Sequence, residues 1–161
     1  MAAPLPGNWQ KRALDQQKNY KKLLQRPDKK AFLKAQPEAH EAAVAQVDCL
    51  SCAACCKNYS PRFKTPDIKR ISKGLGMREG AFIEQYLKLD DEGDYVVKSS
   101  PCAFLGDDNA CSIYDMRPSD CRRFPYTDED VLFKRPNITL KNSTFCPITY
   151  LTLEKLWADL G

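Results

Sequence analysis

The sequence predicts an α+β fold, with helices set around a small, irregular, cysteine-rich region that carries short β-hairpins. Three observations point there. Amphipathic stretches with helix start and stop signals lie on both sides of the middle of the chain, and TPDIKRISKGLG (65–76) is the fullest of them. Two short apolar runs in LKLDDEGDYVVKS (87–99) flank an acidic turn that contains glycine. The stretch DCLSCAACCK (48–57) puts Cys49, Cys52, Cys55 and Cys56 into eight consecutive residues, a density that packing alone does not explain.

The elements follow in order. NWQKRALDQQKNYKKLLQ (8–25) reads as one helix, with Leu14, Tyr20, Leu23 and Leu24 as its sparse apolar contacts and Pro27 as its interruption. DKKAFLKA (28–35) predicts a short helix and PEAHEAAVAQV (37–47) a third, with Pro37 tolerated in its first turn. The lone histidine, His40, reads as a solvent-facing polar residue. In the 65–76 helix Thr65 is the expected N-cap, Pro66 the first position, and Gly74 or Gly76 the stop. REGAFIEQYL (78–87) is a second amphipathic helix burying Phe82, Ile83, Tyr86 and Leu87, and the 87–99 hairpin follows it. PCAFLGDDNACSIY (101–114) predicts another hairpin, whose GDDN turn separates Cys102 from Cys111. RPSDCRRFPY is compact and bounded by Pro118 and Pro125. VLFKRPNITL (131–140) predicts one or two strands, and PITYLTLEKLWADL (147–160) a closing helix burying Leu151, Leu153, Leu156 and Trp157. The expected organisation is a basic helical N-terminal extension, 1–47, followed by a cysteine-cluster domain, 48–161.

Composition narrows the class. A chain of 161 residues, 43% apolar and 29% charged, can bury a core without covalent staples. MAAPLPGNWQKR has no apolar segment of the secretory kind and no stretch reaches membrane-span length, so the expectation is a cytoplasmic protein without a membrane partner. Residues 1–48 hold nine Lys/Arg against five Asp/Glu, and the remainder sixteen of each, so the whole excess of +4 sits in the N-terminal third. At four charges a solvated helical face is preferred to a nucleic-acid surface, and an acidic protein is the partner that such an arm suits.

Eight cysteines are too many for incidental core residues. A reducing compartment disfavours four disulfides and favours metal ligation. Two thiolates two residues apart converge readily on one ion. Four thiolates satisfy zinc, and they also hold iron–sulfur clusters, for which C-x2-C-x2-C with a remote Cys-Pro is a usual arrangement. Cys49, Cys52 and Cys55 have that spacing, and Cys146 precedes Pro147. A thioredoxin-type pair would not need six further thiols. A single histidine, with no G-x-S-x-G, zinc-protease or phosphate-loop motif, leaves hydrolase and nucleotide chemistry without a carrier. Arg117, Arg122 and Arg123 cluster around Cys121, where guanidinium groups would offset the charge of a thiolate-rich cofactor, pair with Asp115 or Asp120, or meet an anionic substrate.

CLSCAACC, PCAFL and CSIYDMRPSDCRRFP together resemble the YkgJ-type cysteine-cluster family, the zinc- or iron-chelating CxxCxxCC domain, over about residues 48–146. Ala53 departs from the glycine that members often carry after the second cysteine, which changes the turn and not the ligands. The resemblance implies metal at Cys49, Cys52, Cys55, Cys56, Cys102, Cys111 and Cys121. Members are described as metal-chelating, sometimes as iron–sulfur oxidoreductases, and a related region occurs in flagellin lysine methylases; no Rossmann-like segment for a methyl donor is evident in this chain.

The sequence therefore points to a cysteine-ligated centre, a [4Fe–4S] cluster or Zn2+, serving electron transfer, metal handling or structure. An iron–sulfur or methyltransferase-related enzyme and a zinc-stabilised interaction module stay open beside it. Adjacent residues of an extended chain project oppositely, so Cys55 and Cys56 are expected to feed different destinations. Cys49, Cys52 and Cys55 would be completed by Cys146, and Cys56 would join Cys102, Cys111 and Cys121; a single cluster is the rival arrangement.

Overall fold

Helix is the first regular element among the described residues, and its first break is a matter of which face is buried. The computed structural model describes residues 5–25, 28–47, 57, 61–99, 102–108 and 110–161. α1 (Trp9–Asp15) and α2 (Gln17–Leu24) replace the one helix expected over 8–25, with the break at Gln16. The break lets Ala13 on α1 and Tyr20, Leu23 and Leu24 on α2 all be buried, while Leu14, an expected contact, is 61% exposed. α3 (Lys29–Val44) is continuous where two helices were expected, with Pro37 in its interior. Proline leaves the carbonyl four residues earlier without its amide partner. Here that carbonyl belongs to Leu33, which is exposed, so water can satisfy it. The opposite face buries Phe32, Gln36, Ala39 and Ala43 and holds the helix together.

The chain divides into two compact units, Met1–Asp48 with Pro125–Gly161, and Cys49–Phe124. In the first, α7 (Val131–Lys134) and α8 (Pro136–Asn142) stand where strands were expected. Pro136 sits at the first turn of α8, where its missing N–H costs nothing, and the Thr139 hydroxyl donates to the Leu132 carbonyl at 2.7 Å. Burial of Leu132 with Tyr20, Leu23, Phe32, Leu153 and Leu156 in one core overrides the local β preference. α9 (Pro147–Leu160) closes the chain as expected, although Ile148 and Tyr150 are buried while Leu151 and Trp157 are only half-buried. The Tyr20 hydroxyl donates to Glu154 at 2.8 Å, and burial first, then that carboxylate, pushes its ionisation far above the usual phenol range.

The second unit is built of shorter pieces. α4 (Thr65–Gly74) is capped by Asp67, whose carboxylate accepts from the Lys64 N–H at 3.1 Å, so Lys64 rather than Thr65 is the N-cap residue. Gly76, with φ 69°, follows α4, and the left-handed turn there ends the helix. α5 (Glu79–Tyr86) runs into β1 (Leu87–Leu89), which pairs antiparallel with β2 (Tyr95–Val97) in the register Leu87↔Val97, Lys88↔Val96, Leu89↔Tyr95. Asp90 makes the turn by accepting from the Glu92 and Asp94 amides, each at 2.9 Å. A second core gathers Phe63, Ile68, Ile71, Phe82, Leu87, Val97, Phe104 and Ile113. Helices with one small antiparallel sheet confirm the α+β class among the described residues. No described helix is long and apolar enough to cross a membrane.

Candidate metal centre

Cys102 and Cys111 lie on the two sides of a tight hairpin-like turn. The Leu105 N–H donates to the Cys102 carbonyl at 3.0 Å, Gly106 N–H to Ala110 O at 2.8 Å, and Ser112 N–H to Phe104 O at 2.8 Å. Leu105 and Cys111 form an isolated antiparallel bridge, so the expected hairpin is present in minimal form. The turn is tight at Gly106: a Cβ there would meet the Ala110 carbonyl at 3.3 Å and the movable Asp108 carboxylate at 2.9 Å. Phe104 anchors the turn, stacking on Phe82 at 6.2 Å and packing against Tyr86 at 4.8 Å. Both cysteines are half-buried and pack against the second core.

From Cys111 the chain passes through a 3-10 turn (Tyr114–Met116) into α6 (Ser119–Arg123), which carries the half-buried Cys121. Five residues cannot hold a helix in place alone, and two buried carboxylates do so. Asp120, 1% exposed, accepts from the Arg62 guanidinium at 2.9 Å and from the Arg62 N–H at 3.1 Å. Asp67, 3% exposed, accepts from the Ser119 N–H at 3.1 Å and from Arg70 at 3.0 Å. Arg70 also donates to the Arg117 carbonyl at 2.8 Å. Cys121 is thereby braced from both sides by α4 and by the segment before it.

The three expected arginines have different surroundings. The Arg117 guanidinium lies 3.9 Å from the centre of the Tyr114 ring, and its Nε donates to the Tyr114 carbonyl at 2.9 Å. Arg122 donates to the Asp115 backbone carbonyl at 3.2 Å, while Arg123 is exposed on α6. Cys146 belongs to the other unit, 6% exposed at the N-cap of α9. Cys49, Cys52, Cys55 and Cys56, and with them the expected partition between two centres, lie outside the described residues. Among the described residues no three His, Cys, Asp or Glu side chains converge as a metal site.

His40 departs from the solvent-facing reading. Its Nδ1 lies 2.6 Å from the Thr127 hydroxyl and its Nε2 4.0 Å from Asp128, inside the first unit. Arg62 and Asp67 are positioning residues that sequence reasoning missed. Asp67 had a local signal, an acid in the first turn after Pro66; Arg62 had none, because its partner lies 58 residues away.

Residues 48–147 match the model of a family, CxxCxxCC, described as a "putative zinc- or iron-chelating domain". No curated protein and no solved structure matches the chain.

Proposed function

The chain belongs to this CxxCxxCC family, and from that premise we propose that it holds a cysteine-ligated iron–sulfur centre of the [4Fe–4S] type, with zinc on the same thiols as the second reading. One observation carries the proposal. Seven of the eight cysteines, Cys49, Cys52, Cys55, Cys56, Cys102, Cys111 and Cys121, fall within residues 49–121, inside the matched stretch 48–147. Thiolate sulfur is the donor that zinc and iron–sulfur clusters prefer, so the donor set fits both groups. The C-x2-C-x2-C spacing of Cys49, Cys52 and Cys55 favours the cluster.

When bound, such a cluster supplies one-electron transfer. The chain's own contribution is to fix donors and balance charge. Asp120 and Asp67 hold the segment that presents Cys121, and Phe104 holds the turn that presents Cys102 and Cys111. Arg117, Arg122 and Arg123 add positive charge beside an anionic set of thiolates. Zinc is favoured by a different feature, the shortness of the elements that carry these cysteines, which a purely structural ion would serve.

Anaerobic purification followed by metal and acid-labile sulfide analysis separates the two. Iron and sulfide in equal amounts, with broad visible absorption, are expected. Colourless protein holding stoichiometric zinc and no sulfide would replace the cluster with the zinc reading.

A further inference from the structure

A cleft of about 310 Å³ opens in the first unit, lined by Leu24, Gln25, Lys29, Phe32, Phe133 and Lys134. Its floor is apolar: Leu24 and Phe32 are buried, and Phe32 meets Phe133 edge to face with ring centres 5.3 Å apart. Its rim is cationic. Lys134 is paired with Asp130 at 2.6 Å, but Lys29 has no ion-pair partner among the described residues. The same holds for the exposed Lys18, Lys21 and Lys22 on α2, which carries no acid, and for Lys30 and Lys34 on the first half of α3. There Asp28 at the N-cap is the nearby acid and accepts from the Ala31 N–H at 3.1 Å. The excess positive charge beside the cleft is therefore that of α2 and the first turns of α3.

We propose that this cleft is a docking site for an acidic protein segment, which seats one aromatic or branched side chain on the Leu24–Phe32–Phe133 floor while its carboxylates meet Lys29 and the neighbouring lysines. The volume is at the lower end for ligand clefts and suits one anchoring side chain rather than a cofactor. Charge complementarity selects an acidic partner. The details favour protein over nucleic acid: the rings pack against each other and offer no open platform for base stacking, and the lining cations are lysines, which lack the fork that reads phosphate. A membrane surface would need a protruding apolar face, whereas the exposed side of α2 is Lys18, Lys21 and Lys22. The site is independent of the metal reading, because none of its residues is a cysteine.

The test uses the full, metal-loaded chain and a fluorescent Glu/Ser peptide with one central phenylalanine, beside the same peptide with alanine there. Anisotropy should show the phenylalanine peptide binding about tenfold more tightly, and raising salt from roughly 50 to 500 mM should weaken both. Lys29→Glu, and Gln25→Trp to block the cleft, should each cost about tenfold, while Lys11→Glu on α1 should cost less than about twofold. Unchanged metal content and melting temperature would show that the variants fold. The proposal is overturned by equal binding of the two peptides, by no binding at low salt, or by a Lys11→Glu loss as large as that of Lys29→Glu. Tighter binding of oligothymidylate or of phosphatidylserine vesicles than of the peptide would also overturn it.

Discussion

The two units bury comparable sets of apolar side chains yet are built from different material. The unit formed by Met1–Asp48 and Pro125–Gly161 rests on α3, 16 residues long, and α9, 14 residues long, whose buried faces share one core. Among the described residues, the unit Cys49–Phe124 has a helix of 10 residues, others of eight and five, and strands of three. Elements that short do not hold their shape by propensity. They are held by an aromatic cluster around Phe82, by the carboxylates of Asp67 and Asp120, and, in our reading, by metal. The difference teaches where metal would matter in our reading: the described elements of one region share a core of long helices, and those of the other are short and carry the cysteines.

The largest expected effect follows from that contrast. Removing the metal anaerobically should cost the cysteine-rich region on the order of 10 kcal/mol per structural site, read as loss of its urea-unfolding transition. The helical signal of the other region should persist. A single unchanged transition after verified metal removal would erase the distinction.

Next in size is Leu153→Ala, at a side chain that is 0% exposed in the helical core. It should cost about 3 kcal/mol, since truncation leaves a cavity among Tyr20, Leu132 and Leu156. Thermal melting checks the loss, and metal content should not change. Metal lost in proportion to stability would tie the ion to the helical core instead.

Asp120→Asn probes the opposite side of the comparison. The carboxylate is buried but Arg62 is 40% exposed, so solvent screens the pair and the cost should be about 2 kcal/mol rather than that of a fully buried pair. Because Asp120 positions Cys121, the variant should also release metal faster to a chelator. Wild-type release at wild-type stability would show that the brace is dispensable.

How much of this could be read in the sequence depends on the range of the interactions. The 65–74 and 79–86 helices, the 87–97 hairpin and the closing helix were legible, because caps, a Gly-containing turn and apolar periodicity are local signals. The segment 131–140 was misread as strand because Val131, Ile138 and Thr139 favour β-structure locally, while the core that claims Leu132 is assembled from distant residues. The continuity of α3 through Pro37 was hidden for the same reason. At the candidate site the cysteine spacing was legible, but the Arg62–Asp120 brace spans 58 residues and left no pattern to find.

The smallest effect sharpens the comparison from within the helical unit. Tyr20→Phe removes a buried hydroxyl that donates to the half-buried Glu154, and it should cost about 1 kcal/mol with metal content unchanged. A loss of metal would show that this region is not independent of the centre.

Amide hydrogen exchange, compared before and after anaerobic metal removal, tests the central claim most directly. The account predicts that protection collapses across the 87–97 hairpin and the turns bearing Cys102, Cys111 and Cys121, while α3 and α9 keep theirs. Unchanged protection around Cys102, Cys111 and Cys121, or collapse confined to α3 and α9, would contradict it.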